Sequence, residues 1–263
     1  MPSISANGIR FHYEFHGPND APVVTFSHAL GASTAMWREQ VALLSGDYRC
    51  LAYDANGHGG STERLGDSSI ASLADDLAAL LGALDIRRTH LVGASLGGMT
   101  AMSFATRHPA LLDRLALVGT TAQMPDAAPW HERAAKVRAD GLDDLADATM
   151  GRWFTDGFAA ANRARVEETK AAFLATHVGA YAQACEAIAA MDLTDDIRRI
   201  AAPTLVMAAE NDAATTPQMA DDIADRVPGA ALVMIPEAKH MMAIERPELV
   251  AAGIRTHFEV DQY

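Results

Sequence analysis

A serine with a glycine two residues away on either side, Gly93-Ala94-Ser95-Leu96-Gly97, follows the apolar pair Leu91-Val92 and precedes the small-residue run Gly98-Met99-Thr100-Ala101-Met102. A buried strand leaving its sheet through such a run turns sharply into a helix, and only small residues fit two places from the serine. The hydroxyl is then lifted above the sheet, and the next backbone N–H is left free to bind an oxyanion. That is the arrangement of a nucleophile for acyl transfer. A serine can also occupy such a crossing only because bulky residues do not fit. The residues downstream decide between the two readings.

Pro203 opens the strand-like run Thr204-Leu205-Val206-Met207, which ends in the carboxylate-rich turn Ala208-Ala209-Glu210-Asn211-Asp212. A further apolar run, Ala231-Leu232-Val233-Met234-Ile235, is followed by Pro236-Glu237-Ala238-Lys239-His240. Nucleophile, acid and histidine therefore occur in an order found in neither the chymotrypsin nor the subtilisin fold. Ser95 is assigned as nucleophile, His240 as base and Asp212 as the acid that holds the imidazole in its useful tautomer. Glu210, two residues earlier on the same loop, is the alternative acid. Of the 10 histidines, His240 is singled out because it follows the last apolar strand and precedes the helix-starting Glu245-Arg246-Pro247-Glu248-Leu249.

Acyl transfer also needs donors for the developing alkoxide, each contributing about 3 kcal/mol. The amide of Leu96 is one candidate. The other is the amide of Leu30, in the loop Ser27-His28-Ala29-Leu30-Gly31 that follows the strand-like Val23-Val24-Thr25-Phe26. His28 is read as a brace for that loop rather than as a reacting group.

The elements that must carry these loops alternate between strand and helix. Strands are expected at 23–26, 49–53, 89–92, 115–118, 204–207 and 231–235, after a hairpin turning at Asn7-Gly8. A helix is expected over 72–84, from the apolar spacing Leu73, Leu77, Leu80, Leu81, Leu84. Such alternation builds an α/β fold, a mostly parallel sheet with helices on both faces whose ligands bind beyond the strand C-termini. Residues 122–201 break the pattern. They read as an all-helical cap inserted into a core formed by 1–121 and 202–263, so substrate choice is expected to reside there. Trp130, from this insertion, and Met241, beside the base, are the candidate substrate-binding residues; Trp153 is expected either there or in the packing of the cap.

At 263 residues, with 49% hydrophobic and 21% charged residues, one large domain with an insertion is expected. The formal net charge of −13 argues against nucleic acid or an anionic membrane as partner. Cys50 and Cys185 read as buried thiols. No basic stretch leads into an apolar one at the N-terminus, and no apolar run reaches about 20 residues, so a cytoplasmic enzyme is expected. No metal or cofactor is called for, the partner is a small-molecule substrate, and homo-oligomerisation is left open. A dinucleotide-binding oxidoreductase is set aside because the glycine spacing Gly-x-Gly-x-x-Gly is absent.

With these residues in view, the chain resembles the α/β-hydrolase superfamily over essentially its full length, and within it the 3-oxoadipate enol-lactonase group. The likeness reaches into the cap through Ala134-Ala135-Lys136-Val137-Arg138, Leu145-Ala146-Asp147-Ala148, Arg152-Trp153-Phe154-Thr155, Cys185-Glu186-Ala187-Ile188 and Asp192-Leu193, and it covers Met36-Trp37, Tyr53-Asp54 and Gly57-His58-Gly59 in the core. The resemblance implies the α/β-hydrolase fold and places Ser95, Asp212 and His240 at the group's triad. The chain departs from the group in three places. His28-Ala29-Leu30-Gly31 stands for the group's Asn-Ser-Leu-Gly, Asn56 for the arginine before Gly-His-Gly, and Thr121-Ala122-Gln123 where the group carries an arginine. Two cationic side chains are thus missing, and Met241-Met242 adds bulk. The expectation is a metal-free serine hydrolase of a small ester or lactone, with a substrate less anionic and more apolar than the enol-lactone.

Four alternatives remain. An esterase of an apolar substrate would prefer neutral esters, and a C–C bond hydrolase of a ring-fission product would prefer vinylogous diketones. A cofactor-free perhydrolase would form peracid from acetate and peroxide. A silent receptor would bind tightly and ignore a serine-directed phosphonate.

Overall fold

The central apolar runs form strands that the sheet buries almost end to end, while the last run, Ala231–Ile235, lies at the sheet edge and is largely exposed. In the computed structural model, which describes residues 2–64, 66 and 68–259, the strands are β1 (Ser3–Ala6), β2 (Ile9–His16), β3 (Val23–Ser27), β4 (Arg49–Tyr53), β5 (Thr89–Ala94), β6 (Leu112–Val118), β7 (Thr204–Ala209) and β8 (Ala231–Ile235). They form one sheet in the order β1-β2-β4-β3-β5-β6-β7-β8. β1 and β2 pair antiparallel, as do β2 and β4, and every later pair is parallel. The hairpin turns at Asn7 (φ 46°) and Gly8 (φ 79°), the left-handed pair that a two-residue hairpin favours.

The helices are α1 (Arg38–Leu44), α2 (Ile70–Ala83), α3 (Leu96–Arg107), α4 (Ala128–Asp140), α5 (Asp143–Trp153), α6 (Asp156–Ala161), α7 (Arg163–Leu174), α8 (Val178–Ala189), α9 (Pro217–Arg226), α10 (Met242–Glu245) and α11 (Pro247–Glu259). α2 packs on α3, which lies against β3, β5 and β6, and α1 packs on α11, which lies against β6, β7 and β8. Two helix pairs thus cover the sheet, as a parallel sheet buried on both faces requires. The core includes Phe26, Trp37, Leu51, Leu77, Leu80 and Phe104. Cys50 and Cys185 are buried free thiols, each pushed up to about 12 by burial, so neither offers a reactive thiolate.

Five helices, α4 to α8, occupy the chain between β6 and β7. Its two ends are tied together: Gln123 and Asp192 form a β-bridge, the Gln123 side-chain amide donates to the Asp192 carboxylate at 2.9 Å, and the Leu193 N–H donates to the Ala122 carbonyl at 2.9 Å. The insertion therefore leaves and rejoins the core at one point. α4 and α8 pack on each other. Among the described residues, no helix is long and apolar enough to cross a membrane.

Candidate active site

β5 ends at Ala94 and α3 begins at Leu96, which leaves one residue to make the turn. Ser95 does so with φ 52° and ψ −116°, a sparsely populated conformation for a non-glycine residue that costs on the order of 1–3 kcal/mol. Its N–H donates to the Val118 carbonyl at 3.0 Å, and its carbonyl accepts from the Thr120 hydroxyl at 2.7 Å and the Met99 N–H at 2.9 Å. The glycines are required by contact: a Cβ on Gly97 would lie 2.2 Å from the Ser27 carbonyl oxygen, and one on Gly93 2.3 Å from that of Gly97.

Asp212 lies three residues beyond β7, and His240 five beyond β8. The Asn211 N–H donates to the Ala238 carbonyl at 3.0 Å, fastening one loop to the other. The His240 Nδ1–H donates to Asp212 Oδ2 at 2.8 Å, which leaves Nε2 as the ring nitrogen free for a reacting group. Asp212 is only 3% exposed, and its other contacts come from Thr215. The Thr215 hydroxyl donates to Oδ2 at 2.8 Å and its N–H to Oδ1 at 3.1 Å, joined by the Ala214 N–H at 2.8 Å. Burial alone would raise the Asp212 carboxyl. The charge and hydrogen bond of His240, with the hydrogen bonds of Thr215, outweigh it and hold the group below the ordinary carboxylate value. Glu210 is exposed, and its carboxylate accepts from the Glu237 N–H at 3.1 Å. Asp212 accepts the hydrogen bond of the imidazole, and Glu210 braces a turn.

The loop carrying Leu30 is held from both sides by two buried imidazoles. His28 Nδ1–H donates to the Ala29 carbonyl at 2.8 Å, while its Nε2 accepts from the Ala55 N–H at 2.9 Å. His58 Nδ1–H donates to the Asn56 carbonyl at 2.8 Å and its Nε2 accepts from the Gly31 N–H at 3.0 Å. Acceptance at Nε2 requires both rings to be neutral. Burial accounts for it, lowering His28 and pushing His58 down to about 3. Among the described residues, neither the Leu30 nor the Leu96 amide has an acceptor of its own, and the Leu96 amide opens helix α3, where the helix dipole favours negative charge. The Leu96 side chain is buried in the core.

A cavity of about 250 Å³ brings Ser95, His240, Thr215 and Leu30 together with residues of the inserted helices. Trp130 and Trp153 both line it, the latter also packed edge-on against Phe173 at 5.9 Å. Met241 does not. It is fully buried, and it lines a separate small void with Ala32, Met36 and Ile244. The chain turns immediately after His240, and the Met241 N–H donates to the Trp153 carbonyl at 3.0 Å.

The cavity also contains two cations that the sequence reading did not anticipate, Arg133 and Arg152. Arg133 donates to the Tyr181 hydroxyl at 3.2 Å and stands over the Trp130 ring at 5.7 Å; Arg152 donates to the Thr149 hydroxyl at 3.1 Å. Neither guanidinium has a carboxylate partner among the described residues. Burial, and then the charge of Arg133, lower Arg152 from its ordinary value. The positions noted as lacking a cation, Asn56 and Gln123, remain uncharged, but α4 and α5 each place one arginine in the cavity wall. Position alone gave no sign of this, although Arg152-Trp153-Phe154-Thr155 was among the segments carrying the resemblance. Among the described residues, no three His, Cys, Asp or Glu side chains converge as a metal ion requires.

A family model described as the alpha/beta hydrolase fold matches residues 22–247. The chain belongs to the α/β-hydrolase family. This α/β hydrolase is 31% identical over 246 residues to 3-oxoadipate enol-lactonase 2 of Acinetobacter baylyi, covering 94% of this chain and 92% of the relative. It is 33% identical over 235 residues to enol-lactonase 1 of the same organism, covering 89% and 88%. Among solved structures, the enol-lactonase from Burkholderia xenovorans LB400 superposes with a TM-score of 0.96 at 34% identity, over 98% of this chain and 100% of that one. The α/β hydrolase thus matches these proteins across the inserted helices as well as the core.

Proposed function

We propose that this α/β hydrolase opens a small lactone or ester that carries a carboxylate remote from the scissile carbonyl, as an enol-lactone of the kind named in its relatives does. The observation that carries the anionic part is the pair Arg133 and Arg152, without carboxylate partners among the described residues, in the wall of the cavity that holds Ser95 and His240. An acidic protein repels anions at long range, but at contact two guanidiniums outweigh distant charge. A pair of opposite charges 4 Å apart gains on the order of 4 kcal/mol at the effective dielectric of a half-buried site, and a guanidinium matches a carboxylate edge with two donors.

Ser95 Oγ attacks the carbonyl carbon while its proton passes to His240 Nε2. The Leu30 and Leu96 amides hold the oxyanion, and Asp212 steadies the imidazolium. Collapse breaks the C–O bond, His240 returns its proton to the leaving oxygen, and an acyl-enzyme remains. A water deprotonated by His240 then attacks the acyl carbon, releasing Ser95 and a second carboxylate. In a lactone the leaving oxygen stays tethered to the acyl group. An enol removes itself as a competing nucleophile by becoming a ketone, so an enol-lactone suits this site.

The test is hydrolysis of 3-oxoadipate enol-lactone, neutral lactones of varied ring size and short p-nitrophenyl esters by the wild type and by Ser95→Ala. The expected result is Ser95-dependent turnover with a preference for the carboxylate-bearing lactone. Near wild-type turnover by Ser95→Ala would overturn the mechanism, and turnover confined to neutral substrates would overturn the assignment of the arginines.

A further inference from the structure

Helix α10 begins two residues after His240 and ends at Glu245, a carboxylate only 4% exposed. Both of its oxygens are used. Oε1 accepts from the Thr155 N–H at 2.8 Å and the Thr155 hydroxyl at 2.7 Å, and Oε2 accepts from the Lys239 N–H at 2.6 Å. Thr155 lies just beyond Trp153 and caps α6, accepting from the Phe158 N–H at 3.3 Å. Lys239 immediately precedes His240. One buried side chain therefore grips two segments far apart in sequence, the α5–α6 junction and the loop of the base.

Two more hydrogen bonds run between the same segments: Met241 N–H to the Trp153 carbonyl at 3.0 Å, and Lys239 Nζ to the Gly151 carbonyl at 2.9 Å. From below, Gln40, wholly buried, donates its side-chain amide to the Ala243 carbonyl at 2.7 Å, anchoring α10 to the core. The residues between the clamped points are functional in the reading above. Arg152, Trp153 and His240 all line the cavity.

We propose that Glu245 is a positioning residue that fixes the distance between the base His240 and the Arg152–Trp153 wall, so that the substrate's carboxylate and its scissile carbonyl are gripped in register. The inference rests on the hydrolase reading for its kinetic consequences, but not for the mechanical coupling itself. A carboxylate is required because three donors converge on it. An amide would turn its NH₂ against either Thr155 or Lys239 and open one half of the clamp. Burying a carboxylate this deeply is costly unless such donors meet it, and reacting groups displaced by about 1 Å lose on the order of 100-fold in rate.

The experiment is Glu245→Gln, compared with the wild type on a carboxylate-bearing lactone and a neutral lactone, with Ser95→Ala in parallel and amide hydrogen exchange on each protein. The expected result is a loss in kcat of about 10-fold on both substrates, with a further rise in KM of about 5-fold for the anionic one alone. Exchange should quicken by about 10-fold at residues 151–155 and at 239–245 together, with α2 and α3 unchanged. A purely structural role would lower Tm but leave the KM values, and the anionic-to-neutral ratio, of the folded enzyme at wild-type levels; that result would overturn the proposal. So would faster exchange in only one of the two segments. If Glu245→Gln does not fold, Thr155→Val removes a single donor and should shift KM for the anionic lactone in the same direction by a smaller factor. Inactive wild type, or active Ser95→Ala, would instead count against the hydrolase reading, while the exchange experiment would still decide the coupling.

Discussion

The two sides of the cavity are built on different rules. On the sheet side, Ser95, Asp212 and His240 sit only one to five residues beyond the ends of their strands. There the backbone is fastened by bonds such as Ser95 N–H to Val118 and Asn211 N–H to Ala238. On the opposite side the wall comes from inserted helices, whose contribution is side chains: Trp130, Trp153, Arg133 and Arg152. The first side leaves few groups unspent, and the second holds two guanidiniums with no carboxylate to answer them among the described residues. The difference implies that chemistry is set by backbone geometry that tolerates little change. On the proposed reading, selectivity is set by side chains that can be exchanged on an intact scaffold.

That contrast can be broken most severely at the proposed nucleophile. Ser95→Ala should lower kcat by at least about 10⁴-fold without changing Tm by more than a few degrees, and loss of fold instead of loss of rate would remove the distinction. Asp212→Asn should cost on the order of 10³- to 10⁴-fold, since an amide favours the wrong imidazole tautomer. Glu210→Gln should stay within about twofold. A reversal of that pair, read from kcat on an accepted ester, would move the acid to Glu210. Thr215→Val, which takes one hydrogen bond from Asp212, should cost about 10-fold, in line with a loss near 1.4 kcal/mol.

A further effect, on stability rather than on rate, concerns the imidazoles that brace the Leu30 loop. Burial holds folded His58 down to about 3, whereas an unfolded histidine titrates near 6.5. Between those values the unfolded chain binds a proton that the folded chain refuses. Stability therefore falls as pH drops from about 6.5 toward 3, by at most about 1.4 kcal/mol per pH unit for this group. Asp212 adds to the loss only at lower pH, because its folded value lies below the ordinary carboxylate one. His58→Gln should flatten Tm against pH between 6.5 and 4. Parallel slopes in the two proteins would dismiss His58 as a source of acid sensitivity.

The same division explains what could be read from the residues alone. The placement of Ser95, Asp212 and His240 just beyond strand ends was legible because a sharp strand-to-helix turn admits few sequences and because each follows a short apolar run of strand length. Element ends were less so. α2 starts at Ile70 rather than at 72, because Ser69 caps it and trades hydrogen bonds with Ser72, and β5 and β7 continue two residues past their last large apolar side chain. Arg133 and Arg152 were not legible. They belong to separate helices, α4 and α5, and only the packing of the insertion brings them to one cavity. No spacing along the chain encodes that. Met241 misled for the related reason that adjacency to His240 in sequence is not adjacency to the cavity.

The central claim, that the inserted helices select a carboxylate for a triad on the sheet, is tested most directly by one comparison. The ratio of kcat/KM for a carboxylate-bearing lactone to that for its methyl ester would be measured in the wild type and in the double variant Arg133→Met/Arg152→Met. The account expects a wild-type ratio well above one that falls by about 100-fold in the double variant. A ratio near or below one, unchanged when both arginines are replaced, would contradict it.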